Sequence, residues 1–139
     1  MKCAWDELLA ILPPRLRNEV DGKGRDTAQN IRLRLGKPPE ICCGGESHWL
    51  TGTVTEEDLN FCINTASRYS PWAAATISKG YITAKGGHRI GICGEAVIKS
   101  REITGIRNVS SLCIRVARDF PGIAGELANL KGSILILGA

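Results

Sequence analysis

Tyr81-Ile82-Thr83-Ala84, then Lys85-Gly86-Gly87-His88, then Arg89-Ile90-Gly91-Ile92-Cys93-Gly94-Glu95-Ala96-Val97-Ile98 is the stretch on which the fold turns. Two runs rich in β-branched residues flank a short loop with paired glycines, the grammar of an antiparallel hairpin. Alternation puts Ile90, Ile92, Ala96 and Ile98 on one face of the second strand and Arg89, Cys93 and Glu95 on the other. A slip of one residue would turn every isoleucine outward, so the register is expected to bury Ile90 and Ile92. His88 reads as a turn residue bonded within its own loop.

Working outward, Leu112, Ile114 and Val116 alternate with Cys113 and Arg115, which gives a further strand. Near the front, Ile31, Leu33 and Leu35 alternate with Arg32 and Arg34, a strand with one apolar and one cationic face. Gly36-Lys37-Pro38-Pro39 turns the chain into a returning strand over 40–43, and a short strand over 48–50 follows Gly44-Gly45. Trp5, Leu8, Leu9 and Leu12 recur at helical spacing until Pro13-Pro14; Pro14 opens a second helix with Leu16 and Val20, and residues 21–26 read as a loop. Thr55 caps a helix whose first turn, Glu56-Glu57-Asp58, suits the positive end of the helix dipole and whose apolar stripe is Leu59, Cys62, Ile63 and Ala66. Ser70-Pro71 starts a short helix over 72–77, ended by Gly80, and a further helix is expected over 121–130. Ser133-Ile134-Leu135-Ile136-Leu137 is apolar on both faces, the mark of a central parallel strand. The expected class is α+β: a mixed or antiparallel sheet with helices in residues 1–118, then a linker helix and the first strand of a second unit in 119–139.

Charge is distributed unevenly. Residues 1–78 carry nine Lys/Arg against ten Asp/Glu, residues 79–118 eight against two, and residues 119–139 one against two. The net charge of +4 therefore belongs to 79–118, and that segment is expected to face something anionic. A nucleic-acid-binding β module is one class with such a face, but it stacks bases on aromatic rings, and 79–118 holds only Tyr81. No apolar run reaches the roughly 18–20 residues of a membrane span. Asp6 and Glu7 interrupt any leader-like apolar stretch at the start, which favours a cytoplasmic chain. The six cysteines then read as reduced thiols. Cys42-Cys43 with His48 lacks a fourth ligand and metal-site spacing, so no metal is expected. No nucleophile, base and orienting group recur together, which leaves a hydrolytic triad without support.

The most informative signal is the apolar run of 133–137 entering Gly138. A phosphate-binding loop begins in this way, strand first, then Gly-x-x-x-x-Gly-Lys-Ser/Thr. Gly138 would be its first glycine, with the second glycine, the lysine and the hydroxyl residue outside the sequence. Those groups hold the phosphates and magnesium, so no catalytic residue is expected within these 139 residues.

Ser70-Pro71, Gly80-Tyr81-Ile82-Thr83, Gly86-Gly87-His88-Arg89-Ile90-Gly91-Ile92-Cys93-Gly94-Glu95-Ala96-Val97, Ile114-Arg115-Val116-Ala117-Arg118 and, earlier, Ile31-Arg32-Leu33-Arg34-Leu35-Gly36-Lys37-Pro38 together resemble the stage III sporulation protein AA family. Asn30 stands where relatives often carry an acid. The resemblance implies the N-terminal domain of a mother-cell ATPase related to type II and type IV secretion and pilus ATPases. It also implies a RecA-like core that uses ATP and Mg2+, a hexameric homo-oligomer, and a membrane protein of a mother cell–forespore channel as partner. Nucleic acid is not among the implied partners. Arg89, Arg115 and Arg118 match positions from which such N-domains reach the nucleotide.

Overall fold

The computed structural model describes residues 3–68 and 72–138. The elements run α1 (Trp5–Ile11), α2 (Pro14–Gly24), β1 (Ala28–Arg34), β2 (Glu40–Cys43), β3 (Glu46–Trp49), α3 (Glu56–Ser67), α4 (Ala73–Ile77), β4 (Tyr81–Thr83), β5 (Arg89–Lys99) and β6 (Glu102–Arg115). The six strands form one sheet in the order β3-β2-β1-β6-β5-β4, and every neighbouring pair is antiparallel. The class is α+β, with the sheet wholly antiparallel rather than mixed. The helices pack on one face around a single apolar cluster that includes Leu8, Leu12, Leu59, Ile31, Ile90 and Ile114.

The hairpin has the expected register: Ile82 opposes Ile90 and Thr83 opposes Arg89, with Ile90 and Ile92 buried. The alternation fails further along β5, where Ala96 and Ile98 are exposed. Irregularities between Cys93 and Glu95 and between Val97 and Ile98 shift the pairing with β6, and each bulge rotates the strand out of phase. Gly94 sits at the first of them, where a Cβ would lie 2.7 Å from Ile106 Cγ2 and 2.8 Å from Arg107 O. β6 is also longer than its apolar alternation suggests. Its first half returns from a turn with Ser100 and Arg101 at positive φ and is largely exposed.

Other departures have local causes. α2 runs through the expected loop to Gly24, because Asp21 accepts hydrogen bonds from Trp5 Nε1 and Arg25 Nε, both at 2.8 Å. Gly24 lets the helix end touch the sheet: a Cβ there would meet Ile41 Cδ1 at 2.6 Å and Ala28 Cβ at 2.7 Å. Leu35 is exposed rather than inward, since β1 ends at Arg34 and Gly36 turns at φ +76°. The short strand expected over 48–50 is β3, displaced toward its preceding turn. The Ser70-Pro71 cap lies outside the described residues, although α4 follows it and Gly80 closes that turn onto Ile77 O at 2.9 Å. Residues 121–130 hold only a 3-10 turn, Gly125–Leu127, because nothing covers an apolar stripe there. Residues 133–137 pair with no strand among the described residues, and Leu135 is 82% exposed. A central strand needs hydrogen-bonding neighbours on both sides, and β1–β6 offer it none.

Candidate functional site: the open cationic face

The sheet face opposite the helices is bare, and strand register arranges its side chains in rungs. Arg115 on β6 lies between Asn30 on β1 and Arg89 on β5, with Thr83 on β4 beyond. The adjacent rung reads Glu40, Arg32, Cys113, Gly91, Tyr81. Two like charges directly opposed across strands are unfavourable. No acid relieves the pair: among the described residues neither Arg89 nor Arg115 makes an ion pair, and the Arg115 side chain makes no hydrogen bond. The Arg89 guanidinium lies 4.7 Å from the Tyr81 ring centroid. A cleft of about 380 Å³ opens beside Arg115, lined also by Asn30, Arg118 and Phe120. Asn30 Oδ1 is buried there without a donor.

Arg32 and Arg34, on the same face, are occupied differently. Glu40 is nearly buried between them, 2.9 Å from Arg34 and 3.5 Å from Arg32. The neighbouring Ser47 hydroxyl, then Arg34 and Arg32, hold its carboxyl below the usual glutamate range against the effect of burial. The cationic character expected of this face is therefore concentrated at Arg89 and Arg115.

Arg118, on the wall of the same cleft, has its donors turned to its own backbone. Its Nε donates to Ala28 O and an Nη to Gly24 O, both at 2.8 Å, and its guanidinium lies 5.3 Å from the Trp5 ring centroid. It ties the exit of β6 to α2, β1 and α1, a structural role that sequence pattern did not reveal. His88 is likewise not a local turn residue. It is fully buried, its Nδ1 accepts the Ala117 N–H at 3.0 Å, and its Nε2 lies 2.8 Å from Ala4 O. With Nδ1 accepting, the proton sits on Nε2 and is donated to Ala4 O. These contacts, with a bridge between Cys3 and Arg118, clasp the front of the chain to the end of β6.

Asp58, one of the three acids in the first turn of α3, does more than suit the helix dipole. It completes a capping box with Thr55, accepting from Thr55 N–H at 2.9 Å while its own N–H donates to Thr55 Oγ1 at 3.2 Å, and it pairs with Arg15 on α2. Burial opposes its charge, but Arg15 and the Thr55 donors outweigh burial and hold its pKa below the ordinary value. The six cysteines are free thiols. Burial pushes the Cys62 thiol up to about 12, with Asp58 adding to the effect, so Cys62 acts as a small apolar residue. Among the described residues no His/Cys/Asp/Glu group has metal-site geometry, and no helix is long and apolar enough to cross a membrane. Gly138 is exposed, and a Cβ there would touch nothing.

A six-stranded antiparallel sheet with helices on one face defines an α+β domain, and its fold has a counterpart in a known ATPase structure. The X-ray structure of the Legionella pneumophila ATPase DotB matches with a TM-score of 0.51 at 14% identity, over 86% of this chain and 32% of that one; the likeness is one of fold. Residues 4–131 match the family Sporulation stage III, protein AA, and the chain belongs to that family. Stage III sporulation protein AA of Bacillus subtilis (strain 168) is 30% identical over 126 residues, covering 88% of this chain and 41% of that protein. The chain thus spans about two-fifths of the length of that curated relative.

Proposed function

We propose that these residues are the N-terminal domain of a sporulation ATPase, laid over its nucleotide-binding core so that Arg89 and Arg115 face the nucleotide phosphates. The observation that carries the reading is the Arg89–Arg115 rung: two directly opposed cations on a rigid, uncovered face with no acid between them. Such a pair is costly unless an anion occupies it. A guanidinium can fork two phosphate oxygens and offset the charge that develops as the terminal phosphoryl leaves. Arg118 is not in this set, because its donors bind carbonyls of its own domain.

Residues 133–137 fit the same reading as the first strand of a RecA-like core, whose exposed apolar side chains would be covered by strands and helices of that core. ATP would supply the phosphoryl group and Mg2+ the bridging charge. Within these residues only Gly138 belongs to the loop that cradles them, so the 139-residue polypeptide alone should hydrolyse no ATP. The proposal extends to a hexameric ring in the mother cell, docked on a membrane protein of a channel to the forespore; family membership supports it. A nucleic-acid-binding role is less well supported, since the Tyr81 ring that could stack a base is covered by Arg89.

The test uses the longer protein that includes the core. Arg115→Ala and Arg89→Ala should lower turnover, on the order of 10³-fold for an arginine acting as a finger, with little change in KM. Arg101→Ala, at the hairpin tip, should behave as wild type. A rise in KM with turnover preserved would assign the arginines to ground-state binding alone, and wild-type kinetics in both variants would overturn the reading.

A further inference from the structure

At the opposite margin of the sheet from Arg89, β3 is an edge strand. Leu50 N–H bonds Pro39 O at 2.7 Å, and residue 50 continues the register that pairs Trp49 with Glu40. Antiparallel pairs alternate between hydrogen-bonded and non-bonded. The main-chain groups of residues 46, 48 and 50 therefore face β2, and those of Ser47 and Trp49 face outward. The Trp49 side chain is on the bare face and 59% exposed, where it lines a cleft of about 510 Å³ with Arg34, Lys37 and Pro38. Glu40 is already shared by Arg32 and Arg34, Lys37 has no ion pair among the described residues, and Glu46 lies on the other face by register. The cleft is thus apolar at its centre and cationic at its rim.

Edge strands are usually blunted by lysine, proline or a bulge. β3 instead turns a serine and a tryptophan toward its open side. We infer that the β3 edge and the Trp49 cleft bind an extended acidic segment of a partner protein, which adds to the sheet as a further strand. Main-chain donors and acceptors alternating along an edge match a polypeptide and not a phosphate chain. Every second side chain of the added strand would point to the bare face, a bulky apolar one onto Trp49 and Pro38 and a carboxylate toward Arg34 and Lys37. Exposed tryptophan with arginine is also the composition of interface hot spots. The chain's own residues 133–137 do not qualify as occupant, since they carry no acid. The inference uses neither Arg89 nor Arg115 and stands or falls apart from the nucleotide reading.

The probe is a fluorescein-labelled ten-residue peptide with threonine at every second position and phenylalanine and glutamate taking turns at the positions between, so that both lie on one face of the added strand; it is titrated with the 139-residue chain and followed by anisotropy. Saturable binding is expected, weakened tenfold or more by Trp49→Ala and by Lys37→Glu, and unchanged by Arg101→Ala. A peptide with lysine for glutamate, and one N-methylated along one edge, should bind at least tenfold more weakly. Circular dichroism of each variant checks that it remains folded, as expected for changes at exposed side chains. The inference is overturned by absent saturable binding, by equal binding of acidic and basic peptides, by wild-type affinity in Trp49→Ala, or by self-association through Trp49, which would assign the edge to a second copy of the chain.

Discussion

Ile31, Leu33, Ile90, Leu112 and Ile114 are essentially inaccessible beneath the helices, while Arg32, Arg34, Arg89 and Arg115, each one position away along the same strands, stand on a face that no helix among the described residues covers. The two faces share a backbone and differ only in which alternate residue they present. Solvent exclusion acts on one set of side chains and mutual charge on the other. The inner face carries the cohesion of the fold, and the outer face leaves its charge available to something outside it.

Substitutions can break that contrast. The largest effect is expected for Ile114→Ala, deep in the central strand, at about 2–5 kcal/mol of lost stability, read as a fall in the urea midpoint. A shift under half a kilocalorie would mean that the helices do not seal that face. Next comes Arg118→Ala, which strips charge-assisted hydrogen bonds from two carbonyls, at about 1.5–3 kcal/mol; equality with Arg115→Ala would remove the distinction drawn between these two arginines.

Acid titration comes third. The Asp58 pKa is lower folded than unfolded, so its contribution is full above the unfolded value near 3.8 and is lost as pH falls through the folded one. Asp58→Asn should flatten the loss of stability in that acid window, and a midpoint-versus-pH curve parallel to wild type would dismiss the Arg15–Asp58 pairing as a contributor. The smallest effect is expected for Arg115→Ala, within about 0.5 kcal/mol and on the stabilising side if repulsion from Arg89 is felt. A large loss would show that the bare face holds the fold together after all.

What could be read in the sequence was what depends on neighbours a few residues away. The period of β1 up to Arg34 and of β5 up to Ile92, the Thr55 cap, the proline start of α2 and the hairpin around Gly86-Gly87 are of this kind. His88 and Arg118 were not legible, because their partners lie 29 to 94 positions distant and no local pattern marks a side chain that binds remote carbonyls. The first half of β6 escaped for another reason: its pairing with β5 is interrupted by bulges, so its side chains lose the alternation that advertises a strand. Residues 133–137 show the converse, a strong strand pattern without a partner. At the candidate site, the outward direction of Arg115 was visible from period two. Its apposition to Arg89 depended on which strands became neighbours.

The clasp of His88, Ala4, Ala117 and Arg118 has a mechanical consequence. Because Cys3 and Arg118 are bridged, the polypeptide enters and leaves this domain at one spot. A pull on residues beyond 118 is met first by the Arg118 guanidinium and by the Ala117 N–H held on His88, before it reaches the β1–β6 ladder. The load is borne side by side with the start of the chain, not across the sheet.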